Sequence, residues 1–395
     1  MGGALSSIYN NVSFALQSHS EALARLQEQA STGACINRPS DDPSAAYRIL
    51  GLDCQQRSLE NYLDNLSEMI GTLQVSSTVL EDMIAVFAET KTRLTQIAGG
   101  IYGEESQERI AEEIDDALEQ IVSLANTKHG GRYLFGGSDT TAPPFTVQRA
   151  DGQIVSVTYH GSDTVLDVEV AAGLKSSAFY VGDAIFRSDS RAEPIFLGNT
   201  GAKGGTGTSS VRGDVWLTVT HDGSNYRLSI DDGASYVTVP AGGDTNQAVT
   251  DSATGRVLYV DSTQINSTGL EMVRVPGTYD VFNTLISIRD LLMNERGLTQ
   301  SELQNLLNDA SYSLEEVRNL LVQTNVSVGS RIEFLSNLSD NLENRQYDTE
   351  SEKTRLQQAD IAQIAIDLSR REVLYEMSLS IAGKLMSMSL LDFIE

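Results

Sequence analysis

The residues best suited to chemistry in this chain are the aspartate pairs Asp41-Asp42 and Asp231-Asp232, four histidines, two cysteines and the glycine-rich phrase His129–Gly137. An aspartate pair such as Asp41-Asp42 or Asp231-Asp232 suits general acid–base work or a divalent cation, provided that further ligands stand nearby. The spacing supplies none. His19, His129, His160 and His221 are scattered, and Cys35 and Cys54 stand apart, so no metal-ligand set can be assembled. His129-Gly130-Gly131-Arg132-Tyr133-Leu134-Phe135-Gly136-Gly137 has the glycines of a phosphate loop but lacks the Gly-Lys-Ser/Thr ending and the helix that should follow. It reads as a turn leading into a short strand. Arg212-Gly213-Asp214 spells a tripeptide that some adhesins use, and a loop-to-strand turn explains it equally well. The expectation is no catalytic residue, no cofactor and no metal.

Composition narrows the partners. The formal charge is −26, from 28 basic and 54 acidic residues, which argues against nucleic acid or an anionic membrane because phosphate binding needs clustered Lys and Arg. Aromatic content is 6%, with Trp216 the single tryptophan, which suits long helices better than a thick globular core. The opening MGGALSSIYN has neither a basic region nor an apolar one, so no cleavable secretory signal is expected. Gly2 with Ser6 fits the myristoylation pattern only as far as a short chance match would. No membrane span is expected either.

With little chemistry to position, the elements themselves carry the message. Between Ile49 and Leu94, one heptad column holds Leu52, Leu59, Leu66, Leu73, Leu80, Phe87 and Leu94. Its companion column holds Ile49, Gln56, Leu63, Ile70, Ser77, Ile84 and Lys91. That is the pattern of a long helix with a narrow packing seam, roughly 70 Å at 1.5 Å per residue. The polar breaks at Gln56, Ser77 and Lys91 are expected to set register rather than add stability. A second ladder runs through Leu303, Ala310, Val317, Thr324, Arg331 and Leu338, with Leu307, Leu314, Leu321, Val328, Leu335 and Leu342 beside it. After Leu342 its seam turns polar at Arg345, Thr349 and Glu352, which suggests a hinge or a solvated link.

Shorter helices flank these ladders. Residues 5–30 carry a thin seam of Leu5, Val12, Leu16, Leu23 and Leu26, with His19 inside it. Gly33 can end that helix in the left-handed region, and Asp41-Asp42-Pro43 can start the next. Residues 106–128 form a third helix, with Ile110, Ile114, Ala117, Ile121 and Leu124 on one face. Asp280 can cap Val281–Met293, and Thr299 with Glu302 makes a capping box. The last turns are dense in Leu374, Met377, Ile381, Leu385, Met388 and Leu391, more than one seam needs, so burial against other subunits or a chaperone is expected.

From Thr146 the apolar period changes to two. Val155, Val157 and Tyr159 alternate, as do the residues from Val165 to Val170 and those from Val215 to Thr220. Turns at His221–Ser224 and Asp231–Gly233 separate further strands through Val260. The expectation is an all-β insertion over residues 139–278, with Gly198–Ser210 as a flexible loop dividing two lobes.

A β insertion between helical halves, together with Ser31-Thr32-Gly33-Ala34-Cys35-Ile36-Asn37 and Pro39-Ser40-Asp41-Asp42-Pro43, resembles the flagellin superfamily. Within it, Ala125-Asn126-Thr127 leading to Gly131-Arg132-Tyr133-Leu134-Phe135-Gly136-Gly137 is similar to the hook-associated protein 3 branch, and the closing Ser387–Ile394 resembles the superfamily's endings. The opening Met1-Gly2-Gly3-Ala4 and the two cysteines depart from the pattern. The resemblance implies an α+β chain: a long antiparallel helical bundle or coiled coil formed by the N- and C-terminal segments, with an inserted all-β domain. Residues 1–40 with 356–395 would be the inner assembly segments, 41–138 with 279–355 the long-helix rod, and 139–278 the outer domain. It also implies a non-enzymatic axial protein, exported through the type III apparatus without a cleaved signal peptide, that sits between hook and filament. The implied partners are further copies in a ring or helix, a neighbouring hook-associated protein, flagellin, and an export chaperone on the C-terminal region. Flagellin itself is the nearest alternative; a coiled-coil stalk bearing an adhesin-like β module, or a hydrolase using Asp231 or Asp232, stands further off.

Overall fold

The computed structural model describes residues 2–98 and 103–394, with side chains described over 10–98, 103 and 105–384. Its helices are α1 (Gly2–Thr32), α2 (Pro43–Ala98), α3 (Glu104–Ala125), the single turn α4 (Gly182–Ile185), α5 (Val281–Met293), α6 (Gln300–Gln357) and α7 (Ile361–Ile394). Two compact units emerge: Met1–Asp64 with Leu338–Glu395, and Asn65–Asn337.

In the first unit α1 lies along α7. Each helix boundary has its own physical cause. Gly33, at φ +71°, ends α1, its N–H donating to Gln29 O at 2.9 Å. Asp42 Oδ1 accepts from Ser44 N and Ala45 N at 2.9 and 3.0 Å and so starts α2, while Pro43 fills the first turn without losing a bond. Asp360 Oδ1 accepts from Gln363 N at 3.1 Å and starts α7.

The polar stretch after Leu342 is not a hinge. α6 runs unbroken to Gln357, with Thr349 buried and its hydroxyl donating back to Arg345 O at 2.8 Å. Arg, Glu and Lys are good helix formers, and here they find partners on α2: Arg48 with Glu352 at 3.0 Å and Asp53 with Lys353 at 2.7 Å. The chain breaks later, between Gln358 and Asp360.

In the second unit the later part of α2, α3, α5 and the earlier part of α6 are held together. Arg93 of α2 pairs with Glu113 of α3 at 3.4 Å, and α3 packs along α5, where buried Arg289 pairs with Asp115 at 2.6 Å. Asp280 caps α5 by accepting from Phe282 N and Asn283 N, and Thr299 with Glu302 closes the capping box at the start of α6. α3 stops at Ala125 rather than 128. The Asn126 side chain leaves the helix to bond both Phe145 N and Phe145 O, at 3.0 and 2.9 Å.

The strands are β1 (Lys128–His129), β2 (Arg132–Tyr133), β3 (Phe145–Ala150), β4 (Gln153–Tyr159), β5 (Val168–Ala171), β6 (Leu174–Ser176), β7 (Ile195–Phe196), β8 (Lys203–Gly204), β9 (Gly213–His221), β10 (Tyr226–Ser229), β11 (Val237–Thr238), β12 (Gln247–Thr250), β13 (Val257–Asp261) and β14 (Gly269–Val275). β1–β2, β3–β4 and β5–β6 are antiparallel hairpins. A five-stranded sheet has the order β11-β10-β9-β14-β7 and a three-stranded one β12-β13-β8. Leu217, Val219 and Val273 of the first share one core with Val249, Leu258 and Val260 of the second. The alternation from Val165 becomes strand only at Val168, and Val165 and Leu166 stay exposed.

The run Gly198–Ser210 is not the flexible divider that its composition suggests. Buried Glu271 accepts from Gly198 N and from the Thr200 hydroxyl. Ser209 Oγ accepts from Tyr259 N at 3.0 Å and Ser210 Oγ from Val257 N at 2.7 Å. Small polar side chains here act as strand-like partners for β13, a use that composition alone does not reveal.

α2 is long and apolar enough, by length and composition alone, to cross a membrane, against the expectation of no such stretch. The buried leucine column of the same helix accounts for that apolarity.

Candidate functional site

The candidate site is the set of helix faces and their junctions. Among the described residues no group of three His, Cys, Asp or Glu converges on a metal position.

The rod-seam residues fall as follows. On α2, Leu52 is half-buried, Leu59 is buried, and Leu66, Leu73, Leu80, Phe87 and Leu94 are wholly buried. On α6, Leu307, Leu314, Leu321, Leu335 and Leu342 are buried. The polar breaks find partners across the seam. In the second unit Ser77 Oγ donates to Asn325 Oδ1 at 2.7 Å, and Lys91 Nζ contacts Glu315 Oε2 at 2.6 Å. In the first unit Lys353 Nζ donates to Gln56 Oε1 at 3.4 Å. In the second unit, moving up α2 from Ser77 to Lys91 moves down α6 from Asn325 to Glu315, so the two helices run antiparallel there.

The terminal helices are different. Val12, Leu16, Leu23 and Leu26 of α1 are only half-buried, and Phe14 is 76% exposed. On α7, Leu374, Met377 and Ile381 are 37, 59 and 53% exposed, and Ile366, Val373 and Leu379 are exposed with them. The side chains of Leu5, Leu385, Met388 and Leu391 lie outside the described residues. His19 Nδ1 stands 3.2 Å from Arg371 Nη1, which places an α1 polar position against α7 rather than in water.

Sequence reading missed the clasp that joins these helix ends. Ala34 and Gln358 form an isolated antiparallel bridge, with Cys35 N donating to Gln357 O at 2.7 Å and Ala359 N to Gly33 O at 3.0 Å. Cys35 Sγ donates to Leu356 O at 3.3 Å, and Gln29 Nε2 to Cys35 O at 2.7 Å. Asp41 closes the same loop, its Oδ2 accepting from Arg38 N at 2.9 Å and Asn37 N at 3.1 Å. The Arg38 N–H first, then that of Asn37, holds the carboxyl below its usual range. The aspartate pair is thus a loop clamp and a helix cap. The signal available in sequence was the coincidence of two helix breaks, each flanked by small or polar residues.

The other candidates for chemistry are likewise committed. Asp231 accepts from Ser235 Oγ, Ser235 N, Ser252 Oγ and Ser229 Oγ, which hold it far below the carboxylate range, Ser235 foremost. Asp232 forms a two-pronged pair with Arg296. Asp214 of the Arg-Gly-Asp phrase is buried, gripped by Arg274 at 2.9 and 3.1 Å and by the Tyr279 hydroxyl at 2.7 Å. It is not displayed for an adhesion receptor.

The glycine-rich phrase has a structural account. Gly130 and Gly131, at φ +57° and +83°, make the two-residue turn between β1 and β2. Leu134 and Phe135 are fully buried, with Phe135 edge-on to Phe186 at 4.9 Å. A Cβ on Gly136 would lie 2.1 Å from Asp139 O, and one on Gly137 2.4 Å from Ser162 O. Only glycine lets the backbone pass there.

The chain has counterparts among known proteins. Residues 6–140 match the family model described as the bacterial flagellin N-terminal helical region. Flagellar hook-associated protein 3 of Salmonella typhimurium strain LT2 is 29% identical over 167 residues, 42% of this chain and 50% of that protein. The protein of the same name in Escherichia coli K12 is 29% identical over 173 residues, 42% of this chain and 52% of that one. The chain spans about half the length of these curated relatives. The crystal structure of flagellar hook-associated protein-3 from Legionella pneumophila superposes with a TM-score of 0.54 at 15% identity, covering 78% of this chain and 98% of that one. Residues 6–140 therefore match the flagellin N-terminal helical region, and the chain has the fold of the flagellar hook-associated protein-3 structure, as the phrases around Gly33 and Gly131 led one to expect.

Proposed function

We propose that the chain is a structural, non-enzymatic subunit of the bacterial flagellum at the hook–filament junction, where it assembles on the hook and templates flagellin polymerisation. The observation that carries this reading is that the flagellin match takes in α1, whose apolar face is only half-buried, while α7, which lies along α1, is exposed at Val373, Leu374, Met377 and Ile381. A contiguous row of exposed apolar side chains marks a surface that a partner covers. In this reading residues 1–40 and 356–395 make the self-assembly surface, 41–138 with 279–355 the supporting rod, and 139–278 the outer domain. The partners are further copies in a ring or helix, a neighbouring hook-associated protein, flagellin, and an export chaperone on the C-terminal region. The protein would leave the cell without a cleaved signal peptide, insert in no membrane and bind no nucleic acid. Neither cofactor nor metal enters its function.

Flagellin itself is the second reading. It is favoured less because the flagellins matched, such as flagellin B of Helicobacter pylori at 28% over 117 residues, align over a shorter stretch than the hook-associated proteins do. Deleting the gene and viewing cells by electron microscopy tests the proposal. Hooks without filaments, with flagellin shed into the medium, are expected; normal filaments would overturn it.

A further inference from the structure

In a chain with a formal charge of −26, four arginines gather: the charges of Arg187, Arg191 and Arg256 all act on Arg212. Arg187, Arg212 and Arg256 line a groove of about 800 Å³ beside the β3–β4 hairpin and α4, which shares Arg212, Arg256, Asp280 and Asn283 with a second cavity of about 280 Å³. Two of the four are already engaged. Arg187 makes a two-pronged pair with Asp183, and Arg191 Nη1 donates to Val211 O at 2.7 Å.

The other two keep donors unused. Arg212 is 24% exposed, yet its Nη1 is buried and, among the described residues, has no hydrogen-bond partner. Among those residues its Nη2 reaches Asp189 Oδ1 alone, at 3.5 Å, and that side chain is 86% exposed. Arg256 is exposed and, among the described residues, its guanidinium enters no ion pair. A buried donor without a partner forfeits its hydration and gains nothing in return. Burial first, then the charge of Arg187, pulls the Arg212 guanidinium below its usual pKa, with Asp189 as a partial offset.

The carboxylates nearby do not fill the gap. Asp183 is held by Arg187, and Asp280 accepts from Phe282 N, Asn283 N and Asn283 Nδ2. Asp232 is held by Arg296, and Asp251 by Thr254 and two backbone N–H groups. Asp163 acts on Tyr159 and is not among the main charges felt by Arg212.

We propose that Arg212 and Arg256 form an oxyanion-binding site, taking a carboxylate or phosphate group into this groove. A guanidinium fork matches the paired oxygens of such a group, and the unpartnered Nη1 supplies a donor that is already desolvated. The Arg-Gly-Asp phrase thus acquires a role through its arginine, while its aspartate stays structural. Two sources share this chemistry, a free inorganic anion and an acidic polypeptide side chain.

The test is calorimetric titration of the full chain at low salt with inorganic phosphate and, separately, with a tetraglutamate peptide. Binding of either is expected to weaken at least tenfold in Arg212→Ala and in Arg256→Ala. It should be unchanged in Arg109→Ala, an exposed arginine of α3. Phosphate binding alone identifies a free anion as the ligand; peptide binding alone, or tighter, identifies a polypeptide carboxylate. No binding of either probe, or equal binding by all three variants, overturns the proposal. Arg212→Lys, which keeps the charge but loses the fork, serves should the alanine variant fail to fold, and is expected to weaken binding while Arg109→Lys does not.

Discussion

Ser77 Oγ donates to Asn325 Oδ1 at 2.7 Å, a hydrogen bond between α2 and α6 set in a column of leucine and isoleucine. Asn325 Nδ2 also reaches Glu81 Oε1 at 3.4 Å. A leucine column tolerates sliding by a heptad, because each leucine then meets another; a half-buried hydroxyl and amide do not, because sliding leaves both unpaired. The pair therefore selects one register. Replacing Gln56 and Ser77 together by Leu is expected to leave stability the same or raise it, while loosening the register. Spin labels at the exposed positions Thr78 and Gln323, in a background lacking Cys35 and Cys54, would read this as a broadened distance distribution. A more stable protein with an unchanged distribution would count against the idea. Ser77→Ala alone should cost about 1 kcal/mol in chemical unfolding.

Lys91 and Glu315 make the same kind of link in charged form, with Arg318 on the other side of the carboxylate. Arg318 first, then Lys91, pulls Glu315 from 4.5 down to about 2. A carboxylate depressed in the folded state contributes stability that is fully present above its unfolded pKa and lost as pH falls through the folded one. Acid should therefore weaken the helix pair between pH 4.5 and about 2. Glu315→Gln is expected to be less stable than the parent at neutral pH and to flatten the loss over that window. Both atoms are partly exposed, so salt should shrink the difference. Thermal unfolding measured from pH 7 to pH 2 decides it, and parallel curves for parent and variant would remove Glu315 from the account.

The glycines around the clasp and the hairpin separate two physical demands. At Gly33 and Gly130 a Cβ would meet nothing within 4 Å, so the sole demand is a positive φ. Asparagine tolerates that region, so Gly33→Asn and Gly130→Asn should each cost no more than about 1 kcal/mol. Gly136 has ordinary φ, and its Cβ would collide with Asp139 O at 2.1 Å. Gly136→Ala should cost about 2–4 kcal/mol, since backbone rather than a flexible side chain must move. Urea unfolding of the three variants gives the ranking, and a mild Gly136→Ala would mean that the loop 136–140 adapts.

How much of this was legible depends on whether the cause is local. Asp280 and the Thr299–Glu302 box were readable because a cap bonds its own next turn. The column from Leu52 to Leu94 was readable because its period repeats within one helix. The partners of the polar breaks were not, because Asn325, Glu315 and Lys353 lie more than two hundred residues away and only the antiparallel alignment pairs them. The same holds for the Ala34–Gln358 bridge and for Arg212, whose neighbours come from separate elements. The polar stretch after Leu342 misled for the opposite reason. A seam that turns charged looks like an ending until the ion pairs at Glu352 and Lys353 are seen.

The exposed face of α7 yields the last prediction. Val373, Met377 and Ile381 are 52, 59 and 53% exposed, so changing them to serine removes little buried area from the folded chain. Each substitution should shift unfolding by no more than about 0.5 kcal/mol, as expected of surface positions. If these residues are the contact between subunits, the same triple variant must fail to assemble, because in the polymer each would be transferred out of water at about 1.5–3 kcal/mol apiece. The two readouts therefore move apart: a melting curve close to the parent's, and no polymer by sedimentation or electron microscopy. Removing Leu374–Glu395 altogether makes the complementary test, with a soluble, folded chain that no longer assembles as the expected result. A truncated chain that unfolds outright would assign α7 to the stability of the subunit, and a triple variant that assembles normally would move the contact to another face.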